Sequence, residues 1–309
     1  MTDKKPASPP LYPFDRLFIG YSLLMILLIL AFGRPLVLYL DEMGFYAAMV
    51  ALALVVIRYV DERQNRLAAL IRLVYPALLF TFFYRATGGT VLMFFDHFFD
   101  PQLTAFERAL WGINPTLYVD RHFTHLVWLN EIFSFGYFSY YLMIPGFLLL
   151  AFFKRHDWLI KSSMTAMCTA FYISYLVFSL FPVESPRWFF AGRYVNDIFG
   201  PVLRPMARFV VEVGGLQGGG MPSSHVAVAL VIMFYCLKYY RRLGLALVPV
   251  NLLLAVGTVW GRFHYVSDVV AGIVVGIASV VVVWKFYDLP ADGANGKAIT
   301  RKLKVEHAP

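Results

Sequence analysis

The chain has 309 residues, 60% of them hydrophobic and only 15% charged, with a mean hydropathy of +0.65. Soluble domains carry about a quarter charged residues, so an ordinary water-soluble globule is excluded. The formal net charge of +8 does not point to nucleic acid either, because the basic residues sort by side of a membrane and form no single basic face.

A hydrocarbon core about 30 Å thick needs roughly 20 mostly apolar residues in a helix. Eight segments fit: 17–40, 43–60, 67–86, 126–153, 161–182, 223–240, 243–260 and 265–286. The expected fold is all-α, a polytopic integral-membrane helical bundle of about eight transmembrane helices. Residues 1–16, opening MTDKKPASPPLYP, read as a flexible lead. It lacks a small-residue cleavage site after a short apolar stretch, so no removable signal peptide is expected. Residues 17–66 read as an accessory transmembrane pair, 67–287 as a six-helix core, and the polar tail 288–309 as flexible. Cys168 and Cys236 fall inside spans and read as small buried thiols, a disulfide between them being the alternative.

With eight spans both termini share one side, together with the loops RYVDERQNR, KRHDWLIK and KYYRRL. Eighteen of the 27 Lys and Arg residues lie there, and the other nine are all arginine. Positive charge accumulates on cytoplasmic loops. The termini are therefore expected in the cytoplasm, and the loops 87–125 and 183–222 outside. The basic excess then reports topology and attraction to anionic lipid.

In chain order, the first loop of interest holds PQLTAFERALW, residues 101–111. Proline sits in the first turn, Leu103, Phe106, Leu110 and Trp111 share a face, and Glu107 and Arg108 lie opposite. A short helix in the membrane interface is expected; a re-entrant fragment or a loop helix packed on the bundle is the alternative. The loop 183–222 carries Arg187, Arg193, Arg204 and Arg208. Such arginines can balance charge, snorkel, or bind phosphate through the planar guanidinium fork.

That loop ends in GGGMPSSHVA, residues 218–227, where an apolar run begins. Alone it reads as a loop followed by a helix cap, with Ser224 as the cap. The second stretch is GRFHYVSDVVAGIVVG, residues 261–276. His264 and Asp268, four apart, share a helix face about 6 Å apart along the axis. A carboxylate there fixes the imidazole tautomer, although Asp268 near a helix start is also favourable through the dipole alone. Two spans separate His225 from His264, so both motifs fall on one membrane face, which Arg187 shares. This convergence suits phosphoryl transfer through histidine. Amides at Gly218, Gly219 and Gly220 and at the helix start from Ser223 can cradle an anion. An imidazole oriented by a carboxylate can attack phosphorus, and a second histidine can move the protons.

At these residues the chain resembles the type 2 phosphatidic acid phosphatase superfamily, which also includes vanadium haloperoxidases. The family's Pro-Ser-Gly-His signature reads Pro222-Ser223-Ser224-His225. Its Ser-Arg…His-x-x-x-Asp signature ends in His264 to Asp268, followed by Val-Val-Ala-Gly. The resemblance covers residues 67 to 287. The chain departs at Ser224 in the glycine position, and at Thr258 and Val259 where Ser-Arg is usual, with Arg262 the nearest arginine. For the family's Lys/Arg-Pro motif, Ser185-Pro186-Arg187 is the best substitute, while Arg204-Pro205 matches the dipeptide without the upstream lysine. These departures, with Asp100-Pro-Gln-Leu103…Glu107, look more like the branch of fungal inositol phosphorylceramide synthases and their bacterial relatives.

The resemblance implies an integral-membrane lipid phosphatase or phosphotransferase; the expected setting is a bacterial plasma membrane, and by the charge distribution the active site is expected to face outward. It implies His264 as the nucleophile forming a phosphohistidine, Asp268 as its orienter, and His225 as general acid and then base. Arg187 and Arg262, with Ser223, Ser224, Gly219 and Gly220, would hold the phosphate, and neither cofactor nor metal is implied. The substrate would be a membrane phospholipid or an isoprenoid phosphate. The acceptor would be water, or an alcohol such as an inositol lipid or ceramide. A transporter or channel using the histidines as a proton relay is the alternative. Against it, the chain shows no inverted repeat and no broken mid-span helix pair, and the motifs sit at helix ends.

Overall fold

The computed structural model describes residues 10–286. The first nine residues of the lead, and the tail, lie outside the described residues. Twelve helices account for most of what is described: α1 (Pro13–Phe32), α2 (Leu40–Tyr59), α3 (Arg66–Thr90), α4 (Asp100–Trp111), α5 (Pro115–His122), α6 (Val127–Phe153), α7 (Asp157–Leu180), α8 (Pro186–Phe189), α9 (Leu203–Gly214), α10 (Ser224–Tyr239), α11 (Arg241–Trp260) and α12 (Val266–Phe286). The protein is an all-α polytopic bundle. Among the described residues, seven helices are long and apolar enough to cross a membrane: α1, α2 with the 3-10 turn before it, α3, α6, α7, α11 and α12.

The eighth expected span is α10, with only 16 residues. It is roughly 24 Å long, less than a hydrocarbon core. It packs against α11, α12, α7 and α6, so most of its surface meets protein. Two boundaries also differ from expectation. The lead ends early, because Pro13 already opens α1, where Asp15 Oδ2 accepts from the Tyr12 amide at 2.7 Å. The segment 17–40 is broken at Gly33-Arg34-Pro35, since proline lacks the amide a helix needs, and its last residues join α2.

The inner helix is α7, buried along most of its length and packed on α3, α12, α1 and α10. Its small residues Ser162, Ser163, Ala166, Ala170 and Ser174 allow the close approach that membrane helices use in place of a hydrophobic drive. The pair α1–α2 docks on α7 and α3. Arg72 of α3 forks onto Asp15 of α1 at 2.9 and 2.5 Å, and Tyr75 Oη donates to the same carboxylate at 2.7 Å. Both charges are buried, and removing one partner of such a pair costs about 3–5 kcal/mol. The site-bearing helices meet closely as well. A Cβ on Gly272 of α12 would come within 2.5 Å of the Ser223 carbonyl, so only glycine admits the crossing of α12 with the start of α10.

Candidate active site

The ends of α3, α6, α7, α10, α11 and α12 nearest Thr90, Val127, Leu180, Ser224, Trp260 and Val266 lie on one side of the bundle, as alternating spans require. There α10 and α12 bring the two histidine motifs together, with ring centroids of His225 and His264 5.9 Å apart.

His264 stands in the turn between α11 and α12, where its amide donates to Thr258 O at 3.1 Å. The residue is 5% exposed. Nδ1 lies 2.8 Å from the Gly220 carbonyl and 3.3 Å from Asp268 Oδ2. A carbonyl oxygen only accepts, so Nδ1 carries the proton in neutral His264 and Nε2 keeps its lone pair. Asp268 is fixed in turn, accepting at Oδ2 from the Tyr265 amide at 2.8 Å. His225, in the first turn of α10, places Nε2 3.3 Å from Tyr141 Oη and 3.5 Å from Tyr137 Oη of α6. Sequence reasoning missed these tyrosines, which are two aromatics among many in an apolar span.

The helix cap is Ser223, not Ser224. Ser223 Oγ accepts from the Val226 amide at 3.5 Å, and Ser224 is the first helical residue. This changes which amides can face an anion. The Ser223 amide is bonded to Asp268 O at 2.9 Å, and the Gly220 amide to Val183 O at 3.1 Å. Those two are closed off by neighbouring backbone. The amides of Ser224 and His225 are the first two of α10, which a helix cannot satisfy internally. Ser224, His225 and Gly219 all line the cavity beside His264. Gly218 has φ +99°, a conformation in which a side chain is strained, and it turns the chain into this motif.

Arg187 lines the same cavity. It follows Ser185, a non-glycine residue at φ 96°, a strain of about 1–3 kcal/mol. Asp100 holds that strained turn, accepting from the Glu184 amide at 2.7 Å and the Ser185 amide at 3.2 Å. Tyr265 Oη donates to Asp100 Oδ1 at 2.8 Å, so one carboxylate links the Arg187 turn to the residue beside His264. Burial raises the Asp100 carboxyl from its usual range, against the lowering effect of these donors.

Arg262 is placed differently from expectation. Its backbone carbonyl accepts from the Arg187 amide at 2.9 Å, which sets Arg187 in position. Its guanidinium turns away, to Asp120 Oδ1 at 2.5 Å and to the Asn196 carbonyl, and lies 3.8 Å over the Tyr194 ring. It lines a second, adjoining cavity rather than that of His264.

Glu107 also departs from expectation. It is fully buried, because it shares a face of α4 with Leu103 and turns toward α12. There Oε1 accepts from the Ser267 amide at 2.7 Å and Ser267 Oγ at 3.0 Å, a carboxylate at a helix N-terminus. Burial pushes its carboxyl up. Phe106, Leu110 and Trp111 remain exposed. The signal was available in the sequence: an acid four residues from Leu103 lies on the same helix face as that leucine.

The cavity is about 470 Å³. From the histidines and Arg187 it descends between α3 and α6 to Ala77 and Ile144, two turns or roughly 10 Å below Tyr84 and Tyr137. Polar groups converge at one end, and the rest is apolar and aromatic. The arrangement can receive an anionic head at Arg187 and the free amides, with an alkyl chain below.

A family model described as the PAP2 superfamily matches residues 101–282, from α4 into α12. No curated protein and no solved structure matches the chain.

Proposed function

The chain belongs to the PAP2 superfamily, which assigns it in general to phosphatase-type chemistry on lipid phosphates, and from that premise we propose that it works through a phosphohistidine on His264. The observation that carries this reading is the bond from His264 Nδ1 to the Gly220 carbonyl. It leaves Nε2 with its lone pair, on a ring that lines the same cavity as His225 and Arg187. Nε2 attacks phosphorus, the bond from phosphorus to the lipid oxygen breaks, and His225 delivers a proton to that oxygen. The positive charge developing on His264 is balanced by Asp268. Arg187 and the amides of Ser224, His225 and Gly219 stabilise charge on the equatorial oxygens. In the second half His225 takes the proton of an incoming hydroxyl, whose oxygen attacks phosphorus while the P–N bond breaks. Water as acceptor gives a phosphatase; an alcohol such as inositol lipid or ceramide gives a phosphotransferase, the reaction of the inositol phosphorylceramide synthase-like branch. The apolar depth of the cavity supports a phospholipid or an isoprenoid phosphate as substrate.

Quenching the purified protein during turnover of a lipid radiolabelled at phosphorus tests the intermediate. Label bound to protein, stable in base and lost in acid, is expected; label stable in acid, or none under rapid quench, would overturn it.

The site faces outward in this reading, supported by the excess of lysine and arginine on the opposite loops. Cys168 and Cys236 are buried, which keeps background labelling low. A cysteine introduced at Val195 is expected to react with an impermeant reagent added outside intact cells, and one introduced at His156 is expected to stay unlabelled. The reverse pattern would put the site in the cytoplasm.

A further inference from the structure

A second cavity, of about 510 Å³, adjoins the first, and Arg187, Val211 and Phe263 line both. Its other charged residues are Arg204, Arg208, Arg262, Asp197 and Glu212. Two of the four arginines are accounted for. Arg208 pairs with Glu212 at 2.6 Å along α9, and Arg262 with Asp120 at 2.5 Å. Arg187 and Arg204 have no carboxylate within ion-pair distance among the described residues. The Nε–H groups of Arg204 and Arg262 are both buried without a hydrogen-bond partner. Buried donors are nearly always satisfied, so each such group calls for an explanation.

The start of α9 is not the anchor for an anion, because Glu131 already accepts from the Leu203 and Arg204 amides at 2.8 and 3.0 Å. What remains open is the guanidinium fork. Burial, and then the nearby Arg262 and Arg208, hold the Arg204 pKa down to about 10, so Arg204 is still cationic at neutral pH. A partly buried cation with no carboxylate of its own and an unsatisfied Nε–H is unfavourable alone and favourable once an anion accepts from its fork.

We propose that this second cavity is an anion subsite, in which Arg204 holds a second phosphate group beside the reacting one and Arg187 is shared by the two. The proposal rests on the first cavity being the catalytic one. The second phosphate has two possible sources with the same chemistry: the other phosphate of a lipid diphosphate, or a phosphate carried by a separate soluble molecule.

The test uses the full chain in lipid nanodiscs, with Arg204→Gln to remove the charge and Arg204→Lys to restore it. The rates compared are kcat/KM for an isoprenyl diphosphate and for the matching monophosphate. If the lipid supplies the second phosphate, Arg204→Gln is expected to lose about 10- to 100-fold on the diphosphate and under about threefold on the monophosphate, with partial rescue by lysine. If a separate molecule supplies it, the ratio of the two substrates holds. Calorimetric titration with inorganic phosphate then gives two sites in the unmodified chain and one in Arg204→Gln. Unchanged ratio and unchanged stoichiometry would overturn the subsite, as would equal losses on both lipids with both phosphate sites retained. An unmodified chain that turns over neither these lipids nor phosphatidic acid or phosphatidylinositol, with or without a ceramide acceptor, would sink the catalytic reading, while the phosphate titration would still decide the subsite.

Discussion

Replacing His264 by alanine is expected to lower kcat on the order of 10⁴- to 10⁶-fold while KM changes little, the range seen when a covalent nucleophile is removed. The reason is geometric. Gly220 O and Asp268 Oδ2 both lie at the Nδ1 edge of the ring, so the opposite edge serves no structural bond and is left for chemistry. In the proposed mechanism Arg187 and the apolar cavity anchor the substrate, and the substitution does not touch them. Steady-state rates on one lipid phosphate, together with a melting curve to confirm folding, check it. A variant keeping more than about a tenth of the activity would exclude His264 as nucleophile.

His225→Ala is expected to separate substrates by leaving group. Phosphatidic acid expels an alkoxide-like oxygen that needs a proton as it leaves, so its rate should fall about 10²- to 10⁴-fold, the usual worth of general acid catalysis. An aryl phosphate such as p-nitrophenyl phosphate expels an oxygen that leaves as a stable anion, and its first half-reaction should fall less than about tenfold. The burst phase of nitrophenolate release measures that step apart from hydrolysis of the intermediate. Equal losses on both would make His225 a phosphate-binding group rather than the acid. Tyr141 and Tyr137 at its Nε2 set the ring's orientation, so Tyr141→Phe should show the same selectivity in weaker form.

Much of this site was legible before the fold. Pro222-Ser223-Ser224-His225 and His264…Asp268, separated by a two-span hairpin, had to meet on one face once the spans were counted, and they do. Arg187 joins them because the end of α7 returns to that side. Other parts were not legible. Arg262 stands two residues from His264, yet its side chain is drawn away by Asp120, 142 positions earlier. Asp100 stood out only as part of a branch-like segment, but it holds the strained Ser185 turn. Ser223 and Gly220 offered amides that neighbouring backbone had already taken.

The difference lies in what each property depends on. Span length, apolar periodicity, charge sidedness and the His264–Asp268 spacing are local or cumulative along the chain, so the amino-acid sequence alone determined the all-α membrane bundle and the pairing of the two motifs. Which guanidinium is neutralised, which amide stays open, and which cavity a side chain enters depend on hydrogen bonds between segments far apart in sequence. Only the tertiary structure decided those, because each buried donor has one nearest acceptor in space and nothing along the chain marks where it comes from.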